Sequence, residues 1–207
     1  METQIFKVSS HRLEKDVIKK AAPTGRAQRA IAQVVKKGGL VIFPTETVYG
    51  LGCDATNPLA ILKIYKIKGR PAGKAFPILV KDFKMLSEYA IFNKEQKNIM
   101  VHVKTPTNFV LKAKNLSPLA MQNRTAAFRI SMHPWIKRLF RYLDKPLIAT
   151  SANFSGQKPL SDPRKYHEVF GEKAELIEAV IFYGINRKKK GSRVIDLTHE
   201  KPVILRK

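Results

Sequence analysis

The chain has 207 residues, 44% hydrophobic and 27% charged, which is ordinary for a globular protein long enough to bury a full core. No apolar run approaches the ~18 residues a membrane span requires, and Met1 to Gln28 lacks the continuous apolar stretch of a secretory signal. Lys and Arg outnumber Asp and Glu by 39 to 16, a formal net charge of +23, so the surface attracts phosphate, whether of a nucleotide or of a nucleic-acid backbone.

In chain order, Arg26 to Lys37 has the spacing of an amphipathic helix, with Ala30, Ile31, Val34 and Val35 on one side and Gly38-Gly39 as its stop. Leu40 to Phe43 is a short apolar run suited to a buried strand. Pro44 to Gly52, rich in Thr, Gly and Pro, is expected as a loop. Asn57-Pro58 is an N-cap followed by proline at the first helical position, and predicts a helix to about Lys68 with Ile61, Ile64, Tyr65 and Ile67 inward. Phe76 to Val80 follows as a strand, then helices over Phe83 to Ala90 and Lys94 to His102. Phe109 to Leu111 and Ala126 to Ile130 are expected as strands. His133 to Leu143 is expected as a helix with Trp135, Ile136, Leu139 and Phe140 inward. Pro146 to Thr150 is a short strand, Ser151 to Gly156 a polar loop, and Pro163 to Phe170 helical. Leu176 to Phe182, Val194 to Leu197 and Val203 to Leu205 complete a sheet. This alternation predicts one α/β domain over residues 1–207, a mixed sheet flanked by helices.

The charge is uneven. No acidic residue stands between Glu95 and Asp144, a stretch that holds Lys97, Lys104, Lys112, Lys114, Arg124, Arg129, Lys137, Arg138 and Arg141. Gly69 to Ala75 superficially resembles a phosphate-binding P-loop, but its glycines are one residue too close, alanine follows the lysine, and a helix precedes it where a strand is needed. His11, His102, His133, His167 and His199 are scattered and give no zinc spacing. Cys53, the single cysteine, rules out an intramolecular disulfide, suits a reducing cytoplasm, and is expected as a small buried hydrophobe.

Three segments together carry chemistry. Phe43-Pro44-Thr45-Glu46-Thr47-Val48-Tyr49-Gly50-Leu51-Gly52 puts two hydroxyls, a carboxylate and a phenol at the end of a strand, where α/β proteins place ligands. Lys68-Gly69-Arg70-Pro71 sets two cations at a helix end, with Arg70 able to grip phosphate through two parallel bonds. Ala149-Thr150-Ser151-Ala152-Asn153-Phe154-Ser155-Gly156 runs a strand into small polar residues that can approach a phosphate closely. Each alone also has an ordinary structural explanation: a turn, a helix-dipole partner, a polar loop.

In this order and spacing the segments resemble the YrdC/YciO family, through Lys68-x-Arg70, Ser151-x-Asn153 and the Pro44 to Gly52 loop, which looks like the synthase branch. The motif-bearing core spans about 24–198, in the short single-domain form. The resemblance implies a YrdC-like twisted mixed sheet with a large basic cavity. It implies a nucleotidyltransferase that condenses L-threonine, bicarbonate and ATP into threonylcarbamoyl-AMP and pyrophosphate, with Mg2+ arriving with ATP. A downstream threonylcarbamoyl transferase complex would pass the group to tRNA beside the anticodon. By position, Lys68, Arg70, Lys74, Ser151 and Asn153 would serve ATP, and Thr47, Arg129 and Ser192 would serve threonine. No protein metal site and no covalent nucleophile are expected, and no membrane association; the expected location is the cytoplasm.

The chain also departs from the family pattern. Lys104-Thr105-Pro106-Thr107-Asn108 stands where the family often has Pro-Gly-Pro-x-Thr, Arg193 follows Ser192 in place of threonine, and Leu79 occupies the place of a histidine. Two alternatives therefore stay open: an RNA-binding module of the same fold that grips tRNA or double-stranded RNA, and a related carbamoyl-adenylate enzyme with another acceptor.

Overall fold

In the computed structural model, which describes residues 4–7, 25–70, 75–186 and 191–207, the strands fall into two sheets rather than one. The first sheet runs β1 (Gln4–Lys7), β10 (Ile177–Phe182), β2 (Leu40–Phe43), β3 (Gly50–Gly52) and β9 (Thr150–Ser151). The second runs β12 (Val203–Arg206), β11 (Arg193–Asp196), β6 (Thr107–Ala113), β7 (Thr125–Ile130), β4 (Ile78–Val80) and β8 (Leu147–Ile148), with β5 (Ala90–Ile91) paired to the end of β6. Both sheets are mixed: β10 with β2, β11 with β6 and β7 with β4 are parallel, and the other pairs antiparallel. Strand order across the sheets is non-local, so residue periodicity could not divide the strands between them.

The sheets join at one corner. Strand β8 belongs to one sheet and β9 to the other, with only Ala149 between them. Opposite this step, Ile148 N–H donates to the Cys53 carbonyl at 2.9 Å, and Asp54 bridges Leu147. Away from the corner the sheets leave a cavity between them.

Gly50–Gly52, expected as loop, is a strand because its glycines let three backbones close up. A Cβ on Gly52 would sit 1.9 Å from the Ile148 carbonyl oxygen, and one on Gly50 3.0 Å from the Phe43 ring. Propensity penalises such a strand, and close packing requires it. Gly52→Ala is expected to destabilise the fold by at least about 2–3 kcal/mol, because the obstruction is backbone that cannot rotate away; urea unfolding of variant and wild type measures this.

The helices are α1 (Arg26–Lys36), α2 (Pro58–Lys68), α3 (Phe83–Tyr89), α4 (Lys94–His102), α5 (Pro134–Leu139) and α6 (Tyr166–Phe170). On α1, Ile31 and Val35 are buried with Ala27 and Ala32, whereas Ala30 faces solvent and Val34 is half-buried. Helix α5 stops short of the expected Leu143. Beyond Leu139 the chain tightens into i→i−3 turns, Arg141 N–H to Arg138 O and Tyr142 N–H to Leu139 O, which still bury Phe140 and Leu143. The expected Pro163 to Phe170 helix is a 3₁₀ turn, Pro163–Lys165, running into α6. Trp135, Phe43, Phe76, Phe128 and Phe170 anchor a continuous hydrophobic core that also holds Cys53, whose thiol burial pushes far up from its ordinary range. No helix among the described residues is long and apolar enough to cross a membrane.

Candidate active site

The first functional segment is placed by the geometry of α2. The Asn57 side chain accepts the Ala60 N–H, Pro58 opens the helix, and Gly69 ends it at φ +57°, a left-handed conformation that costs glycine little. Lys68 is thus the last helical residue and Arg70 lies just past the turn. Their surroundings differ. Lys68 is 3% exposed, and its ammonium donates to the Ser151 carbonyl (2.7 Å), the Asn153 carbonyl (2.9 Å) and Asn153 Oδ1 (3.1 Å). All three protons are engaged by the segment it must position. Burial, with Arg70 nearby, brings this amine down to about 8. Arg70 is half-buried, stacks 5.0 Å over the Phe76 ring and makes one long bond, 3.5 Å, to the Ala75 carbonyl. Its guanidinium is open toward the cavity it lines.

The second segment follows from the short strand β9. Ser151 Oγ donates to Asn153 Oδ1 at 2.6 Å, and Asn153 Nδ2 to the Gln157 carbonyl at 2.6 Å. Asn153 is therefore a buried bracket between Lys68 and the next turn, while Ser151 lines the cavity. On its other side the cavity meets the turn before β3. Thr45 Oγ1 donates to the Val48 carbonyl at 2.6 Å and lies 3.2 Å from the Thr47 hydroxyl. Asn186 Nδ2 donates to the Thr47 carbonyl at 3.0 Å, and the Tyr49 hydroxyl to the Gly184 carbonyl at 2.6 Å.

Arg129, on β7, is 7% exposed. One of its terminal nitrogens donates to Ser192 Oγ, and the other faces Glu46 Oε2 at 3.6 Å. The other Glu46 oxygen accepts from Ser131 Oγ (2.7 Å), Met132 N–H (2.5 Å) and His133 N–H (3.0 Å), holding the chain that enters α5. Burial pushes the Glu46 carboxyl up, but Arg129 and the Ser131 hydroxyl outweigh it and hold the group below its ordinary value. Arg206, on the last strand, donates twice to the Ser192 carbonyl, at 2.8 and 2.5 Å.

Thr47, Arg70, Arg129, Ser151 and Ser192 thus line one cavity of about 350 Å³ between the sheets. Lys68 and Asn153 brace its wall and line a smaller adjoining pocket with Arg70 and Ser151. Lys74 lies outside the described residues. Of the departures, Asn108 lines the cavity and is 2% exposed, Leu79 is fully buried inside β4, and Arg193 reaches Thr105 Oγ1 at 3.4 Å.

The Sua5/YciO/YrdC family model, described as telomere recombination, matches residues 33–207. The chain belongs to this family. Among its relatives, the threonylcarbamoyl-AMP synthase of Methylobacillus flagellatus is 31% identical over 153 residues, 72% of this chain and 85% of the relative. P. abyssi Sua5 complexed with L-threonine superposes with a TM-score of 0.78 at 33% identity, covering 88% of this chain. The match spans 54% of that Sua5 chain, about half its length. E. coli YciO gives 0.78 at 27% identity, covering 90% of this chain and 91% of its own. The mixed α/β fold expected from the sequence is therefore the Sua5/YciO/YrdC fold.

Sequence reasoning gave no role to Glu46 or Arg206. Glu46 carried a signal, a carboxylate inside an otherwise uncharged cavity loop. Arg206 carried none, since it lies beyond the motif-bearing core and reaches the site only through the pairing of β12 with β11.

Proposed function

We propose that the cavity makes threonylcarbamoyl-AMP from L-threonine, bicarbonate and ATP, as a nucleotidyltransferase of the synthase branch. One observation carries this reading. The cationic Arg70 beside the Ser151–Asn153 bracket and the buried Arg129–Ser192 pair with Thr47 face one cavity, so a nucleotide's phosphates and an amino acid's carboxylate can be held together. The naming of the Methylobacillus flagellatus relative as a threonylcarbamoyl-AMP synthase, and the threonine held by P. abyssi Sua5, agree with it.

The chemistry asks mainly for alignment. The neutral amine of threonine attacks the bicarbonate carbon, a C–N bond forms and water leaves, giving a carbamate. A carbamate oxygen then attacks the α-phosphorus, and the bond to pyrophosphate breaks with its electron pair on the departing oxygen. Arg70 meets the phosphates, Ser151 and Asn153 hold the nucleotide near the α-phosphate, and Lys68 contributes charge while fixing both. Thr47, Arg129 and Ser192 hold threonine. Holding two anions in line and offsetting their charge is the whole catalytic demand. Magnesium enters with ATP as part of the substrate. The product would go to a threonylcarbamoyl transferase complex acting on tRNA in the cytoplasm, with the excess positive charge favouring tRNA encounter.

The test is pyrophosphate release with each substrate omitted in turn. Release that needs threonine, bicarbonate and ATP together supports the reading; release indifferent to threonine would contradict it and favour another acceptor. A pH dependence follows from Lys68. Its ammonium needs the third proton to satisfy three acceptors, and an anionic ligand favours the protonated form. ATP affinity is expected to fall as pH rises through about 8, with proton uptake on binding at that pH. Calorimetry in buffers of different ionisation enthalpy reads the uptake, and Lys68→Gln should abolish it.

A further inference from the structure

The pairing of the second sheet lays several cavity residues in one cross-strand row. Arg206 pairs with Val194, and Val194 with Asn108. Phe109 pairs with Phe128 in the antiparallel ladder, so continuing that register by one step sets Asn108 opposite Arg129. Arg129 in turn pairs with Leu79. Directly paired residues present their side chains on the same face, within ~5.5 Å at the backbone. Two of the three departures from the family pattern, Asn108 and Leu79, therefore flank Arg129.

Asn108 and Arg129 share a second property. Among the described residues, Asn108 Oδ1 and Arg129 Nε are buried polar atoms without a hydrogen-bond partner. Asn108 is 2% and Arg129 7% exposed, and both line the cavity. A buried acceptor and a buried donor on cross-strand neighbours, each left open and not bonded to the other, are costly unless a ligand satisfies them. The ligand that does so carries an acceptor for Arg129 and an N–H or O–H donor for Asn108, a short distance apart. The carboxylate and amine of an α-amino acid, joined through one carbon, meet that requirement. Leu79, lacking hydrogen-bonding groups, leaves the polar recognition in this part of the row to the other two.

We propose that Asn108 is a specificity-determining residue of this chain: its Oδ1 accepts a hydrogen from the amine of the acceptor amino acid while Arg129 Nε donates to the carboxylate. This rests on the synthase reading and deepens it. Accepting an N–H from the neutral amine orients its lone pair, which must face the bicarbonate carbon. The departure at Asn108 then marks a different donor–acceptor pairing to the same substrate class, not a loss of it.

Titration calorimetry with a non-hydrolysable ATP analogue present tests this, using L-threonine and L-2-aminobutanoate, which keeps the carboxylate and amine but lacks the hydroxyl. Asn108→Leu is expected to weaken both ligands about tenfold and by the same factor, one hydrogen bond's worth, with affinity for the ATP analogue unchanged. Because leucine removes an unsatisfied buried acceptor, its thermal midpoint should not fall. Asn108→Thr, which retains an acceptor oxygen, should hold both affinities within about threefold of wild type. Unchanged affinities in Asn108→Leu would overturn the proposal. So would a loss confined to threonine, which would put Asn108 on the side-chain hydroxyl. Wild-type protein that binds neither amino acid would contradict the synthase reading itself, an outcome distinct from the other two.

Discussion

Arg129→Met should lower the free energy of unfolding by about 3–5 kcal/mol and remove threonine binding. The loss has two parts. The guanidinium links Ser192 on one side to Glu46 on the other, so its removal frees the strand entering β11. It also takes the guanidinium away from the half-buried Glu46 carboxylate, and removing one side of such an ion pair is the larger penalty. Adding Glu46→Gln should recover part of the stability, since the neutral amide oxygen can still accept from Ser131, Met132 and His133, but none of the binding. The same pair sets an acid limit. The Glu46 carboxyl is held below its ordinary value of 4.5, so its contribution to stability is present above that pH and is lost as pH falls through the lowered folded-state value. Urea midpoints for wild type and both variants, measured between neutral pH and pH 4, check the sign as well as the size.

Arg70→Ala and Lys68→Met should separate two roles that the sequence motif presents as one. Arg70 has a single long bond to the protein and a face on the cavity. Truncating it should leave the thermal midpoint within a degree or two and lower kcat/KM for ATP on the order of 100-fold, as for loss of one preorganised charge contact. Lys68 is tied to three acceptors across the Ser151–Asn153 segment. Its loss takes a donor from each of them, Asn153 Oδ1 keeping the Ser151 hydroxyl and the Ser151 carbonyl keeping the Asn153 N–H, so Lys68→Met should cost about 2–3 kcal/mol of stability along with ATP binding. Equal thermal midpoints for the two variants would contradict this division.

The sequence and the structure agree where local chemistry decides. Asn57, Pro58 and Gly69 bound α2 as their capping preferences require, and this alone spaces Lys68 and Arg70. The apolar runs at 40–43, 78–80 and 177–182 are central strands for the same reason. The glycine strand Gly50–Gly52 was hidden because what stabilises it is contact with Phe43 and Ile148, residues distant in pattern or chain. The partition into two sheets, and with it the cross-strand row, was hidden because pairing is set by tertiary packing. Thr47, Arg70, Arg129, Ser151 and Ser192 could be named as cavity residues from their motifs. That Lys68 faces the protein, that Glu46 anchors Arg129, and that Arg206 fastens Ser192 are set by tertiary contacts between separate segments of the chain.

The most direct test of the account supplies carbon-13 bicarbonate with ATP, magnesium and L-threonine, and follows the adenylate by mass spectrometry. The account predicts an adenylate with the mass of threonylcarbamoyl-AMP, one mass unit heavier from the labelled carbon, and formed on the order of 100-fold more slowly with Arg70→Ala. Pyrophosphate release without that species, or an adenylate lacking the label, would contradict it.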